Sequence, residues 1–250
     1  MRREIAHAAV LICAAAIVGN AAGRVQAGEP GGKIRVLVAT GGHGFDRKGF
    51  VAMWDSFPGL AWREGAMGKS AEALTTANLQ ATDVLVTYDL AQNIADDQKA
   101  ALLAFLKRGG GVVGLHHSIA SQQDWPDYER IMGVKYFLKP TKRDGREYPR
   151  SQPTEGVNMR IHVADPKHFI TEGMDDFDIV DEGYALYIVD PKAHVLLTTD
   201  HAKNDKNVAW TRQEGNARVV FITLGHDNRA YTNPNYKRFV QRAIEWAAGK

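Results

Sequence analysis

Short apolar runs alternate with amphipathic segments along the first half of the chain. Residues 33–40, 83–88 and 112–115 have the length and composition of buried strands. Residues 95–107 carry apolar side chains at helical spacing, and the glycines at 109–111 end that predicted helix. Alternating strands and helices are typical of an α/β fold with a doubly wound, mostly parallel sheet. We therefore predict this fold class.

The second half of the chain contains further strand patterns and a final helix. The strands are predicted at residues 157–163, 195–199, 208–212 and 218–224. Asn233 and Pro234 suit the N-cap and first position of the last helix. Residues 124–156 hold four prolines and many charges, which predicts a loop-rich insertion with short helical pieces. This insertion either forms one wall of a pocket or is a solvated surface loop.

The N-terminal pattern differs from that of a folded domain. Arg2 and Arg3 precede an apolar stretch at residues 8–18, and small residues lead up to Gly28. This arrangement predicts a signal peptide at residues 1–27, a domain at 28–250 and a periplasmic or secreted location. A retained N-terminal anchor is the alternative. After cleavage we expect no association with a membrane.

Removal of residues 1–27 changes both the chemistry and the charge of the chain. The only cysteine, Cys13, lies in this segment, so the remaining chain has neither a thiol nucleophile nor a disulfide. The segment also carries three of the 31 basic and one of the 29 acidic residues, which leaves 28 of each. A neutral chain argues against a nucleic-acid partner, because such a partner requires a basic face.

Histidines follow three of the predicted strands. His43 comes after the first strand, His116 and His117 after the strand at 112–115, and His226 after the strand at 218–224. Ligands bind outside the carboxyl ends of the strands in open parallel α/β sheets. We therefore expect these histidines to lie along one edge of the sheet and to approach one another.

A carboxylate and a phenol are candidates for the same edge. Asp181, Glu182 and Tyr184 follow a short apolar run at residues 177–180, which predicts an exposed turn. Histidine nitrogens and a carboxylate oxygen are suitable ligands for Zn²⁺ or a similar divalent ion. The predicted metal ligands are His43, His116, Glu182 and His226. The same histidines could instead serve as acid–base groups, since no compact metal motif joins them.

The glycines after the first strand do not form a nucleotide-binding motif. The stretch Gly41-Gly42-His43-Gly44 lacks the spacing of the dinucleotide fingerprint, and the lysine and hydroxyl residue of the P-loop are also missing. We therefore expect no nucleotide cofactor.

Several motifs, taken in order, resemble the ThuA-like (trehalose utilisation) family over residues 33–249. They are Gly41-Gly42-His43, the glycine-rich stretch 110–116, the segments 181–184 and 224–227, and the C-terminal stretch 242–249. The resemblance implies a flavodoxin-like fold, similar to class I glutamine amidotransferases. In those enzymes a cysteine stands near the place of His116 and His117, and a histidine near that of His226. Glutaminase chemistry is therefore not expected here.

The resemblance also implies a link to oxidised, keto-type disaccharides. We predict a carbohydrate-active enzyme that uses acid–base chemistry, with metal assistance, for elimination, hydration, hydrolysis or isomerisation. The predicted catalytic residues are His116, His117, His226 and Asp227. The predicted substrate-binding residues are Tyr184, Asp46 and Trp125. The partner would be a small-molecule carbohydrate, and the oligomeric state is left open.

The alternative is a non-catalytic carbohydrate-binding or accessory protein on the same fold. Trp125, Tyr148 and Tyr184 are aromatic side chains that could stack on sugar rings. The two hypotheses differ in one spatial requirement. An enzyme needs its histidines at one site, whereas a binding protein does not.

Overall fold

A computed structural model describes residues 32–250, so the predicted signal peptide lies outside the described residues. The strands in this part of the chain are β1 (Ile34–Gly41), β2 (Leu60–Ala66), β3 (Val84–Asp89), β4 (Gly111–Leu115), β5 (Val134–Lys135), β6 (Thr141–Arg143), β7 (Arg146–Tyr148), β8 (Gln152–Val163), β9 (Phe177–Ala185), β10 (Ile188–Val189), β11 (His194–Thr199), β12 (Asn207–Glu214) and β13 (Ala217–Ile222). The helices are α1 (Arg47–Asp55), α2 (Thr76–Gln80), α3 (Asp96–Lys107), α4 (Pro126–Met132), α5 (Asn228–Tyr231) and α6 (Pro234–Ala247), with a 3₁₀ helix at His116–Ala120. None of the helices within residues 32–250 is long and apolar enough to cross a membrane.

Nine strands form one sheet in the order β2-β1-β3-β4-β13-β12-β11-β8-β9. The first five of these are parallel, and the pairs from β13 onward are antiparallel. The predicted α/β fold is therefore confirmed, with its parallel strands gathered in one half of the sheet. The change of direction has a local cause, because only Gly215 and Asn216 connect β12 to β13. Such a short connection permits a hairpin but not a parallel crossover.

Helices cover both faces of the sheet, as a doubly wound fold requires. On one face, Phe50 and Trp54 of α1 and Phe239 and Ile244 of α6 are buried in a single core cluster. On the other face, α2, α3 and α4 contribute Leu79, Leu102, Ile131 and their neighbours to a second cluster. The helix predicted at 95–107 corresponds to α3. Asn233 caps α6 by accepting hydrogen bonds from two backbone N–H groups, as predicted.

The central strand β4 is buried on both faces. All five of its residues are inaccessible, as are all six of β3. Gly114 is needed in β4 because a Cβ there would lie 2.5 Å from the ring of Phe221 in β13. The close packing of β4 against β13 places their carboxyl ends side by side, where His116 and His226 follow.

The segment at residues 124–156 is more ordered than predicted. It contains the predicted short helix, α4, but also a hairpin formed by β6 and β7. Asp144 and Gly145 form the turn, both with positive φ, as a two-residue hairpin turn requires. The expectation of a largely irregular segment missed this Asp-Gly signal. Of the two alternatives for the insertion, the structure supports the pocket wall, because Tyr136, Leu138 and Arg150 line a cavity.

Candidate functional site

A sharp turn at the end of β4 carries two buried histidines. The strand ends at Leu115, and the 3₁₀ helix begins at once with His116 and His117. His116 has a φ of 43°, a left-handed conformation that is uncommon outside glycine. Both rings are almost inaccessible, at 0% and 5% exposure. The turn therefore holds two imidazoles inside the protein at the carboxyl edge of the sheet.

The ring of His116 has a fixed orientation. Its Nδ1 lies 2.7 Å from the carbonyl oxygen of Thr223, which follows β13. A carbonyl only accepts hydrogen bonds, so Nδ1 carries the proton and Nε2 presents a lone pair. Nε2 lies 2.9 Å from the phenol oxygen of Tyr184, and the two rings are stacked. The basic nitrogen of His116 therefore faces the interior of the site.

Three side-chain atoms form a nearly regular triangle. His116 Nε2 lies 3.1 Å from His226 Nδ1 and 3.2 Å from Glu182 Oε2, and the last two atoms are 3.5 Å apart. Zinc binds histidine and carboxylate ligands at about 2.0–2.2 Å, which places tetrahedral ligand atoms roughly 3.3–3.6 Å apart. One side of the triangle lies within this range and the other two are about 0.1–0.2 Å shorter, so small shifts would let the three atoms bind one tetrahedral ion. Two histidines and a glutamate also leave a fourth position open.

His117 supplies a fourth group beside the triangle. Four residues each offer a ligand atom, and these atoms all lie within 4.8 Å of one another: His116, His117, Glu182 and His226. We refer to these four residues as the cluster. Neither ring nitrogen of His117 has a hydrogen-bond partner within residues 32–250. Burial and the neighbouring histidines lower the pKa of His117, so the ring is neutral near pH 7. An unpaired buried nitrogen is costly, so His117 can bind a polar group of a ligand held at the open fourth position.

The electrostatics of the cluster keep Glu182 ionised. Burial alone raises the pKa of Glu182, but the adjacent imidazoles of His116 and His226 outweigh it and hold the pKa well below its usual range. In return, the hydrogen bond with Glu182 raises the pKa of His226. The cluster thus combines a buried carboxylate with several imidazoles, a donor set suited to a divalent cation.

Asp181 joins the strand that carries Glu182 to the loop that carries His226. It is fully buried, and its carboxylate accepts hydrogen bonds from the backbone N–H groups of Gly225, His226 and Glu182, at 2.7, 2.9 and 2.8 Å. Burial raises the pKa of Asp181, opposed by these hydrogen bonds and by His116. Asp181 therefore sets the position of two cluster residues without belonging to the cluster.

The turn predicted after residues 177–180 is absent, and the prediction of an exposed Glu182 is wrong. Asp181, Glu182 and Tyr184 lie within β9, and Glu182 is only 8% exposed. The strand continues through two carboxylates because distant segments supply their partners. The loop after β13 supplies donors for Asp181 and the imidazole of His226 for Glu182, and His116 after β4 supplies a second imidazole. These partners are more than 40 residues away, so the local sequence does not reveal them.

His43 lies at the edge of the cluster, not within it. The structure brings His43 to the predicted edge, with its ring centroid 3.9 Å from that of His117. However, its Nδ1 lies 2.5 Å from the carbonyl oxygen of Gly44, and His43 is not among the four groups able to share an ion. The geometry therefore removes His43 from the predicted ligands, leaves His116, Glu182 and His226, and places His117 beside them.

A cavity of ≈ 230 Å³ opens onto the cluster. Its buried part includes His117, Glu182 and Tyr184, and its exposed part includes Leu138 and Arg150. A larger groove of ≈ 430 Å³ lies between α4 and the β6–β7 hairpin, but it contains none of the cluster residues. Polar chemistry and an accessible space therefore coincide at the smaller cavity.

Two predicted site carboxylates lie outside this cavity. Asp46 caps α1 and accepts a hydrogen bond from the backbone N–H of Gly49, at 3.1 Å. Asp227 caps α5 and is bound by the guanidinium of Arg229. Both are local helix caps, which explains why they follow strand ends in the sequence. The structure gives neither one a place at the cluster.

Only one of the predicted aromatic residues lines the cavity. Tyr184 lines the cavity and contacts the cluster. Trp125 instead packs beside Tyr128 at the start of α4, and Tyr148 stacks on Phe137. Trp125 and Tyr148 are therefore parts of the surrounding framework. Tyr136, which sequence reasoning did not select, lines the cavity and packs edge-on against Tyr184.

The fold and the cluster together define a class of protein. It is a doubly wound α/β protein of flavodoxin-like type with a buried histidine–glutamate cluster at the carboxyl edge of its sheet. The model of the ThuA family, described as trehalose utilisation, matches residues 35–247. The chain belongs to this family, as the sequence motifs indicated.

Solved structures with the same fold include relatives and more distant proteins. A ThuA-like protein from Parabacteroides merdae has a TM-score of 0.72 and 18% identity, covering 87% of this chain and 91% of that one. A ThuA-like protein from Bacteroides uniformis has a TM-score of 0.64 and 14% identity, covering 89% and 95%. A β-galactosidase from Rahnella sp. R3 has a TM-score of 0.56 and 12% identity, covering 86% of this chain but 31% of the galactosidase. No curated protein matches the chain significantly.

Proposed function

We propose that the protein is a zinc-dependent enzyme that acts on a keto-sugar or oxidised disaccharide. The observation that carries this proposal is the triangle of His116 Nε2, His226 Nδ1 and Glu182 Oε2, with sides of 3.1, 3.2 and 3.5 Å. Two histidines and a glutamate with one open position are typical of catalytic rather than structural zinc sites.

The surroundings of the triangle support a catalytic role. When bound, a zinc ion would polarise the carbonyl of a ketone and so acidify the neighbouring C–H group. His116 is held in the ligand orientation by Thr223, so it is a poor choice for the mobile base. His117 and Tyr184 face the cavity and are the groups placed to move a proton or to orient an oxygen of the substrate. Elimination and isomerisation can begin with removal of that proton, and elimination followed by hydration of the product amounts to hydrolysis.

The family and the cavity favour a carbohydrate as the substrate. The family is described as trehalose utilisation. The cavity combines polar groups around Glu182 with an apolar side formed by Leu90, Ile119 and Leu138. Sugar rings have both polar edges and apolar faces, so both types of surface are useful.

Convergence of the histidines favours an enzyme over a binding module. The ring centroids of His116 and His117 are 4.4 Å apart, and those of His116 and His226 are 5.2 Å apart. A protein that only stacks sugars on aromatic rings does not need buried imidazoles gathered around one carboxylate.

We also propose that the enzyme acts outside the cytoplasm after removal of residues 1–27. The support is the charged start, the short apolar core and the small residues before Gly28. The intact mass of the protein from a periplasmic extract tests this proposal. Cleavage at Ala27 is expected, and the mass of the full chain would contradict it.

A solvent-exchange experiment tests the catalytic proposal. The zinc-loaded protein is incubated in D₂O with a keto-disaccharide and, separately, with the same disaccharide lacking the ketone. NMR should show deuterium uptake beside the ketone, or conversion to product, for the keto form alone. Glu182→Gln should abolish the signal, and Glu147→Gln, a change on an exposed hairpin strand, should not. A fully zinc-loaded parent that leaves the keto-disaccharide unchanged would contradict the proposal.

A further inference from the structure

Arg150 is the one lysine or arginine side chain among the residues that line the cavity. Its guanidinium makes no hydrogen bond or ion pair within residues 32–250. Two other arginines of the insertion are paired, Arg130 with Asp127 and Arg143 with Glu129. Arg146 also lacks a partner within the described residues, but it does not line the cavity. The cavity therefore has a positive charge at its exposed end that no side chain within residues 32–250 neutralises.

The carboxylate inside the cavity does not compensate for this charge. Glu182 is engaged by His116 and His226 at the buried end. Tyr136 lies within reach of both charges. Burial raises the pKa of Tyr136 to about 12, with Glu182 raising it further and Arg150 lowering it. Tyr136 is therefore influenced by the negative charge of Glu182 and by the positive charge of Arg150. Of these two charged groups, only Arg150 lacks a partner within the described residues.

The size of the cavity limits what can bind between these groups. Its volume of ≈ 230 Å³ is below the roughly 300–1,000 Å³ of pockets for drug-sized ligands. A single sugar ring is the appropriate size, and a second ring would extend past Leu138 into solvent. Leu138 is 41% exposed, so it offers an apolar surface at the opening.

We propose that the substrate ring carries a carboxylate and that Arg150 binds it, so the protein acts on a sugar acid. This inference rests on the proposed function, since it takes the cavity as the substrate site. The ring would place an oxygen at the His–Glu cluster and its carboxylate at the exposed end. Arginine suits this role because its planar guanidinium donates two parallel hydrogen bonds to a carboxylate.

The test compares two probes that differ only in charge. Binding of D-glucuronate and of D-glucuronamide, its neutral amide, is measured by titration calorimetry on the zinc-loaded protein. We expect the parent to bind the acid about tenfold to a hundredfold more tightly, the range for a hydrogen-bonded charged pair. Arg150→Gln should remove this preference. Arg146→Gln changes an exposed arginine of the β6–β7 hairpin that does not line the cavity, and this variant should keep the preference.

Four outcomes would overturn the inference. Equal affinity of the parent for the acid and the amide, or no binding of either, would exclude a carboxylate subsite. A preference that persists in Arg150→Gln would place the carboxylate at the cluster instead. Tighter binding of glucose 6-phosphate than of glucuronate would assign the charge to a phosphate. Zinc content, measured on every sample, separates these results from failure of the metal site itself.

Discussion

His116 Nδ1 donates a hydrogen bond to the carbonyl oxygen of Thr223 over 2.7 Å, although the two residues are 107 positions apart. The bond joins the ends of two neighbouring parallel strands, β4 and β13. It fixes which nitrogen of His116 is protonated and turns the other toward Glu182 and His226. Metal-binding histidines are held in this way by carbonyl or carboxylate groups, and such supports raise metal affinity by 10–100-fold. The site is therefore organised before any ion binds.

His117→Phe tests the role of the unpaired imidazole. Both ring nitrogens of His117 are buried without partners, so the metal-free protein gains nothing from them. We expect metal-free His117→Phe to melt at the same or a higher temperature than the metal-free parent. Zinc should still raise the melting temperature of the variant, because His116, Glu182 and His226 remain as ligands. A large loss of stability in the metal-free variant would show that His117 is hydrogen-bonded.

Asp181→Asn tests how the His226 loop is positioned. The buried carboxylate of Asp181 accepts three backbone hydrogen bonds. In asparagine an amide nitrogen replaces one of the two oxygens, and this nitrogen cannot accept the hydrogen bonds of the oxygen that it replaces. We expect a loss of about 2–3 kcal/mol in the free energy of unfolding, together with weaker zinc binding. Asp178→Asn is the matched control on the same strand, since Asp178 is exposed and forms a surface ion pair with Arg160. Equal effects of both changes in urea unfolding would contradict this account.

The buried carboxyl group of Asp89 leads us to predict an unusual pH dependence of the free energy of unfolding. It is completely buried at the end of β3, where Ser118, Ser121 and the N–H of Ala91 are its hydrogen-bond donors. Burial raises the pKa of Asp89 from 3.8 to about 6, against these hydrogen bonds. A raised carboxyl pKa favours folding below pH 4, and this contribution is lost as the pH rises through 6.

Asp89→Asn should therefore gain stability relative to the parent as the pH rises from 4 to 7. The difference in unfolding free energy should change by about 3 kcal/mol, because one pKa unit corresponds to about 1.4 kcal/mol. Asp83→Asn is a control of opposite sign. Burial raises the pKa of Asp83, but hydrogen bonds from Arg35 outweigh it and lower the pKa, so its contribution is lost as the pH falls. A constant difference between Asp89→Asn and the parent across this range would contradict the prediction.

The edge of the sheet where the site lies could be predicted from the sequence. Short apolar runs end at His43, His116 and His226, and parallel strands bring such ends together. Periodicity and glycine positions are sufficient for this, because they report on burial and chain direction locally. The helices α3 and α6 were predictable for the same reason.

The sequence does not predict which residues at that edge form the cluster. His117 rather than His43 joins the cluster, at a turn where His116 adopts a left-handed conformation that its sequence neighbours do not indicate. Glu182 lies in a strand and not in a turn because distant donors compensate for Asp181. Asp46 and Asp227 were predicted as site residues, yet in the structure both are helix caps. Tertiary partners, not local patterns, decide these cases.

The metal content of Glu182→Gln beside that of the parent tests the central claim most directly. Both proteins are purified without a metal-binding tag, stripped with a chelator, and titrated with zinc under identical conditions, with Glu147→Gln as a control for loss of an exposed carboxylate. Glu182 is buried, so a thermal melt of each metal-free protein verifies folding. We predict that each parent chain binds one zinc ion and that Glu182→Gln lowers the zinc affinity by roughly 100-fold or more. Loss of a direct ligand should have a larger effect than the 10–100-fold loss typical of residues that only hydrogen-bond to a ligand. Unchanged zinc affinity in a folded Glu182→Gln, or no zinc binding by the parent, would contradict the account.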